Sequence, residues 1–176
     1  MLKAKSCSLK AVPGFTLVEL LVTVSIIGIL SSITYFSVGN IRQMARDSKR
    51  LADMKQLQTA LEFYFNQTNG YPLPPAGSPN NTMPIGDASH MTLCTTLQGF
   101  VDTAQTCQNA NATVIMARVP ASPYPPNTPY KYTAIVDQAN NNRPAVYQIA
   151  FMLESDFAGF QRGVEYIATP SGIRRR

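Results

Sequence analysis

GFTLVELLVTVSIIGIL, Gly14–Leu30, is the stretch on which the fold turns. It is apolar except for small hydroxyls and one carboxylate, Glu19, and the run continues to Gly39 without another charge. As a helix, residues 15–39 would extend about 37 Å, more than the roughly 30 Å hydrocarbon core of a bilayer. A secretory signal has a shorter apolar core followed by a small-residue cleavage site, and no such site follows here. Residues 15–39 therefore read as a membrane segment. Lys3, Lys5 and Lys10 precede it and favour a cytoplasmic N-terminus with the bulk of the chain outside. Arg42, Arg46, Lys49 and Arg50 beyond it pull the other way. Glu19 is the puzzle. A carboxylate in lipid costs a few kcal/mol at the bilayer centre, on the order of 3 on insertion scales, and less near a helix end. In the first turn it also meets the positive end of the helix dipole.

The helix is expected to outrun the membrane. Residues 40–67 hold no proline or glycine, and Leu51, Met54, Leu57, Leu61 and Phe65 recur at spacings of three and four. Arg46, Lys49, Arg50, Asp53 and Glu62 are expected mainly on the other faces. In NQTNGYP, Asn69-Gly70 supplies a cap and Pro72 a breaker. The prediction is one helix of about 50 residues, roughly 75 Å long, apolar all round in its first half. Its second half, 40–69, is amphipathic and needs a sheet or helix against it.

Residues 70–90 are rich in Pro, Gly, Asn and Ser and read as irregular loop. A short helix is expected within 91–105, around Leu93, Leu97, Phe100 and Val101. Strands are expected at Val114–Val119, Tyr130–Val136, Ala145–Leu153 and Val164–Ala168. The proline-rich Pro120–Pro129 separates the first two, and DQANNNRP turns between the second and third. Short connections favour one antiparallel sheet laid over the apolar stripe of the helix. The fold class is thus α+β, with residues 70–176 as the head.

The net charge of +5 is concentrated at the ends, in the leader lysines and in Arg174, Arg175 and Arg176. It does not establish a broad nucleic-acid surface. Cys94 and Cys107 lie in a polar region with no acid or histidine cluster, so a disulfide is the simplest reading and fits an extracytoplasmic head. Cys7 reads as incidental. The single histidine, His90, has no companions for zinc. There is no Ser-His-Asp set and no glycine-rich phosphate loop, so an enzyme is not expected. N-x-T triplets at Asn66, Asn80 and Asn111 are weak modification signals.

A basic leader ending in Gly14, then Phe15-Thr16-Leu17-Val18-Glu19-Leu20 at the head of an apolar helix, resembles type IV prepilins and the pseudopilins of type II secretion. ARDSKRLADMKQLQTALEFYFNQTNGYP extends the resemblance, which covers residues 10–72; beyond them only NTPYKYT, Asn127–Thr133, echoes it. The resemblance implies a type IV pilin-like fold, a long N-terminal helix packed on a small antiparallel sheet. It implies that a membrane aspartyl peptidase removes the leader, 1–14, by cutting after Gly14. The same enzyme then methylates Phe15, using S-adenosylmethionine as its own substrate; the chain itself needs no cofactor. An inner-membrane assembly platform with an ATPase motor then draws subunits from the bilayer into a helical homopolymer. There Glu19 meets the terminal amine of Phe15 on a neighbour, so that an unpaired charge penalises the wrong axial position.

Relatives often carry a proline in the middle of the apolar helix. Here Gly28 and Gly39 are the candidate weak points, and local unwinding near Gly28 on assembly is the expectation. The acidic calcium loop of major pseudopilins is not evident, because Glu154 and Asp156 lack companion oxygen ligands. That favours a subunit of an extracellular pilus over a periplasmic pseudopilin. A minor pilin binding DNA or a surface is the other alternative, with Arg118, Lys131, Arg143 and Arg174–Arg176 as cations and Tyr124, Tyr130 and Tyr132 as stacking rings.

Overall fold

The computed structural model describes residues 14–124, 128–136 and 143–176, with only the backbone described at 33–37. The expected leader up to residue 13, including Cys7, and the turn at 137–142 lie outside the described residues, as does Asn127. Helix α1, Leu17–Thr68, is 52 residues long. A 3-10 turn at Pro79–Asn81 leads into β1 (Thr82–Ile85). Then come β2 (Thr92–Cys94), β3 (Phe100–Val101), α2 (Ala104–Asn109) and β4 (Val114–Met116). The chain closes with β5 (Tyr130–Val136), β6 (Pro144–Met152), β7 (Glu165–Thr169) and β8 (Gly172–Arg175). The architecture is α+β with antiparallel pairing throughout. By internal contacts the chain divides into Met1–Asn40 and Ile41–Arg176.

In the second unit the stripe on α1 is the core. Met54, Leu57 and Leu61 are fully buried, and Leu51 and Phe65 pack at its border. Against it lie alternate residues of three strands: Tyr130, Tyr132 and Ala134; Tyr147, Ile149 and Phe151; Tyr166 and Ala168. Side chains on a strand alternate between faces, so this period of two turns one face of the sheet inward. Tyrosine bodies fill the space, and two of their hydroxyls find backbone acceptors: Tyr132 donates to the Pro72 carbonyl at 2.9 Å and Tyr64 to that of Thr96 at 2.6 Å. α1 stops at Asn69, whose φ of +56° is the left-handed conformation of a helix C-cap. The Arg143 guanidinium donates to the exposed Thr68 carbonyl there.

The strand pattern departs from the expected single sheet. Five strands run in the order β1-β5-β6-β7-β8, and three more form a separate sheet, β3-β2-β4. β1 arises inside the expected loop. Its Met83 and Ile85 are buried while Thr82 pairs with Thr133, a two-residue period hidden among turn formers. β8 recruits Gly172–Arg175 from what reads as a solvated tail, pairing Ile173 with Ala168. β4 ends at Met116 and joins the small sheet, not the large one.

The helix expected at 91–105 is absent. Leu93 and Phe100 are cross-strand partners, because the chain reverses between them through Gly99 at φ +71°. A Cβ at Gly99 would stand 2.5 Å from Pro72, so this turn needs glycine. Spacings of seven and four are shared by a helix face and a folded-back hairpin, and the glycine decides between them. The helix that does form, α2, begins later, after Thr103, whose hydroxyl accepts from the Thr106 amide. α2 carries Cys107, which is bonded to Cys94 of β2.

Candidate functional site

The N-terminal end of α1 begins with a reciprocal cap. The Thr16 backbone N–H and hydroxyl donate to Glu19 Oε2 at 3.0 and 2.9 Å, and the Glu19 N–H donates to Thr16 Oγ1 at 3.3 Å. This is a capping box, in which residues three apart satisfy each other's orphan donors. Among the described residues Glu19 has no cationic partner. Its carboxylate is fully exposed and folded back on its own helix terminus.

Beyond it, Leu17, Val18, Leu20, Leu21, Val24, Ile26, Ile27, Ile29 and Leu30 are all exposed, as is Phe15, at 81%. They populate every side of the helix, so this half has no polar face to offer water. Three of its hydroxyls are satisfied internally. Thr23 donates to the Leu20 carbonyl at 2.8 Å, Ser25 to Leu21 at 2.7 Å and Ser32 to Ile29 at 2.7 Å. Such back-bonding suits an apolar medium that supplies no partners. Among the described residues, no helix is long and apolar enough to cross a membrane; the expected segment, 15–39, falls partly on 33–37, whose side chains lie outside the description.

The glycines here do no folding work that is visible in the chain. A Cβ at Gly14, Gly28 or Gly39 would meet nothing within 4 Å. No close approach within the described chain requires glycine at these positions, in contrast to Gly99.

Of the charges expected on the outer faces of the second half of α1, Lys49 and Glu62 are exposed, but Arg50 and Asp53 are buried, as is Asp47. Asp47 is fully buried, Arg50 is 1% exposed and Asp53 is 5% exposed. Arg50 donates to Asp47 Oδ1 at 2.7 Å, to Glu154 Oε1 at 2.6 Å and to the Pro123 carbonyl at 3.1 Å. Asp47 also accepts from the backbone N–H groups of Glu154 and Ser155 at 3.0 and 2.9 Å, and from the Ser155 hydroxyl at 2.6 Å. Arg46 grips Glu154 from the other side, its Nε at 2.9 Å from Oε1. Helix spacing explains the arrangement: residues three and four apart share a face, so Arg46, Asp47 and Arg50 present together to the loop after β6.

Two causes oppose each other at these carboxyls. Burial alone would raise Asp47, but hydrogen bonds from Ser155, from the Glu154 and Ser155 amides and from Arg50 outweigh it and hold the carboxyl below its ordinary value. The Arg46 hydrogen bond lowers Glu154 despite some burial, and Arg50 adds to it. At Asp53 burial wins and the carboxyl is raised, although Tyr130 donates to it at 2.9 Å and Lys49 and Arg50 favour its charge. The cluster can fasten α1 to the sheet side of the head. Glu154 is held by two guanidiniums, and Asp156 beside it accepts from the Arg162 amide at 2.7 Å.

Other expected site residues fare differently. Cys94 and Cys107 are bonded and buried in a small cluster with Val101. Tyr130 and Tyr132 are core residues, so they cannot stack on bases; Tyr124 is exposed. Arg118, Lys131, Arg143 and Arg174–Arg176 are exposed. Arg143 nevertheless serves the helix end, and Arg176 pairs with Glu165 at 2.7 Å. His90 lies 2.9 Å from Asp87. Sequence reasoning missed the Thr16–Glu19 box, which the T-x-x-E spacing signals, and the Asp47–Arg50 pair, whose D-x-x-R spacing is a weaker sign.

Residues 10–35 match the family model described as the prokaryotic N-terminal methylation motif. The match spans 26 of the 176 residues and supports the resemblance to type IV pilins and pseudopilins, a family of structural proteins. In that family the motif goes with a membrane-anchored prepilin that is processed by prepilin peptidase and assembled. No curated protein and no solved structure matches the chain.

Proposed function

We propose that the chain is the structural subunit of a type IV pilus filament. The leader, 1–14, keeps the N-terminus on the cytoplasmic side, residues 15–39 anchor the chain in the bilayer and residues 70–176 stand outside as the head. Prepilin peptidase cuts between Gly14 and Phe15 and methylates the new amine. Subunits then leave the membrane through an assembly platform with its ATPase and pack helix on helix. One observation carries the reading. The half-helix behind Phe15 is apolar on every side and holds a single carboxylate, whose described contacts are all to Thr16 of its own turn. A solvent-exposed surface of that kind requires lipid or other helices around it. The carboxylate suits the Phe15 amine of a neighbouring copy, which would fix the axial register of the filament.

Two further features support it. Gly14 meets no steric limit from the described chain, in keeping with a glycine demanded by an enzyme whose catalytic groups must approach the backbone closely. Glu154, part of the only acidic pair near the end of β6, is engaged by Arg46 and Arg50, which suits a pilus subunit better than a pseudopilin with a calcium loop there.

The test is mass spectrometry of the N-terminal peptide from protein sheared off the surface of cells that make it naturally. A peptide beginning at methylated Phe15 in that fraction is the expected result. An intact Met1 leader, or cleavage beyond Gly39, overturns the processing. Methylated protein confined to the periplasm, with loss of a secreted enzyme on deletion, overturns the pilus in favour of a pseudopilus.

A further inference from the structure

The triplets at Asn66, Asn80 and Asn111 read Asn-Gln-Thr, Asn-Asn-Thr and Asn-Ala-Thr. None has proline in the middle, so each has the form that an N-linked glycan requires. The sequence alone does not rank them. The hydroxyl two residues on is what sets such an asparagine apart from any other. A transferase must therefore reach that hydroxyl as well as the asparagine amide.

The fold separates the three. Asn66 lies in the last turn of α1, and the Thr68 hydroxyl is committed to the Tyr64 carbonyl at 2.8 Å and the Gly70 carbonyl at 2.9 Å. Asn80 lies in the 3-10 turn. Its partner Thr82 is in β1, with the hydroxyl 2.8 Å from Thr133 Oγ1 and 3.2 Å from the Asn80 carbonyl. Asn111 is different. Asn111 and Thr113 are both exposed, and among the described residues neither the Asn111 side-chain amide nor the Thr113 hydroxyl has a hydrogen-bond partner. The backbone around them is nevertheless held. Asn111 has a φ of +51°, a left-handed conformation that asparagine tolerates. Its N–H donates to the Gln108 carbonyl at 3.0 Å, and that of Ala112 to the Cys107 carbonyl at 2.9 Å. The Cys94–Cys107 disulfide pins the chain before this turn. After it, the Thr113 N–H donates to Thr95 Oγ1 at 2.9 Å and the Thr113 carbonyl accepts from the Thr95 N–H at 3.0 Å. The turn is thus fixed in its backbone and free in the two side-chain groups that the reaction uses.

We propose that Asn111 carries an N-linked glycan. The inference rests on the reading of residues 70–176 as an extracytoplasmic head. The donor is an oligosaccharide joined through its anomeric carbon to a lipid diphosphate. Asn111 Nδ2 attacks that carbon. The new C–N bond forms as the C–O bond to the diphosphate breaks, the lipid diphosphate leaves with the electron pair, and one amide proton passes to a base of the transferase. Gln108, Asn109 and Ala110 beside the acceptor are exposed as well, so the folded head accommodates the sugar without disturbing its core.

The experiment takes the full chain from cells that make it naturally. Its peptides are sequenced by electron-transfer mass spectrometry, which leaves glycosidic bonds intact. A glycan mass on Asn111, with Asn66 and Asn80 bare, is expected. Asn111→Gln and Thr113→Val should each abolish it, Thr113→Ser should retain it, and Asn80→Gln should leave it unchanged. These are surface positions, so circular dichroism should match the parent in every variant. A bare Asn111, a glycan on Asn66 or Asn80 instead, or a glycan that survives Thr113→Val overturns the proposal. The N-terminal peptide of the same digest reports separately on processing, so a bare Asn111 in a chain that begins at methylated Phe15 removes the glycan and leaves the pilus reading standing.

Discussion

The two halves of α1 treat charge in opposite ways. In the first half one carboxylate, Glu19, is exposed and held only by Thr16 of its own turn. In the second half Asp47 is buried and accepts from Arg50, from two amides and from a serine hydroxyl. A buried ion pair is costly unless every remaining donor and acceptor is matched, and the second half meets that condition within one chain. The first half does not, and its apolar surroundings are equally uncovered. The contrast teaches that folding completes one half of the helix and leaves the other to be completed by something outside the chain.

Removing Glu19 is the sharpest way to break this contrast. Glu19→Ala is expected to abolish filaments seen by electron microscopy, while thermal unfolding of the head stays the same. Filaments at normal yield would sink the register role. Asp47→Ala attacks the finished half. It leaves Arg50 buried with one fewer counter-charge, and truncating one member of a buried pair typically costs about 3–5 kcal/mol. A denaturant midpoint that hardly moves would show that the cluster does not fasten the helix.

The disulfide comes next. Cys94→Ser with Cys107→Ser is expected to destabilise by about 3 kcal/mol in the chain-entropy argument for a loop of this size. Reductant added to the parent chain should lower its Tm similarly.

Acid titration sharpens the account of the cluster. Asp47 and Glu154 lie below their unfolded values. The stability they contribute is therefore present at neutral pH. It is lost as pH falls from the unfolded range, about 4, through the depressed folded values. Asp53 has the opposite sign: its folded carboxyl binds a proton more readily, so acid favours the folded state there and neutral pH costs stability. Asp53→Asn, which keeps an acceptor for Tyr130, should raise stability at pH 7 and steepen the acid loss. Urea midpoints measured across pH 2–7 decide this, and a shallower slope would contradict it.

The smallest effect concerns Tyr147, whose hydroxyl is buried without a hydrogen-bond partner among the described residues. A buried unmatched hydroxyl is a cost, so Tyr147→Phe is expected to be neutral or stabilising by up to about 1 kcal/mol. A clear loss of stability would reveal a partner for that hydroxyl.

Much of this was legible in the residues. The three-and-four spacing from Leu51 to Phe65 placed the core face of α1, and β5 was legible to the residue because Tyr130–Val136 alternates cleanly. Segments 82–85 and 92–101 were misread for one reason. Their strands are two to four residues long, too short for a period to show, and their pairing depends on partners far along the chain. Arg50 and Asp53 were placed outside because charge predicts exposure on average, and only distant partners make their burial tolerable, Glu154 for Arg50 and Tyr130 for Asp53.

By itself the sequence determined the long helix and its uninterrupted apolar first half with Glu19 at the fifth position after Gly14, and it offered Cys94–Cys107 as the simplest pairing. These follow from local periodicity and composition, which act over a few turns. Tertiary structure alone decided the split into two sheets and the burial of Asp47 and Arg50. Each of these depends on which distant groups arrive beside a residue, and local propensity carries no record of that.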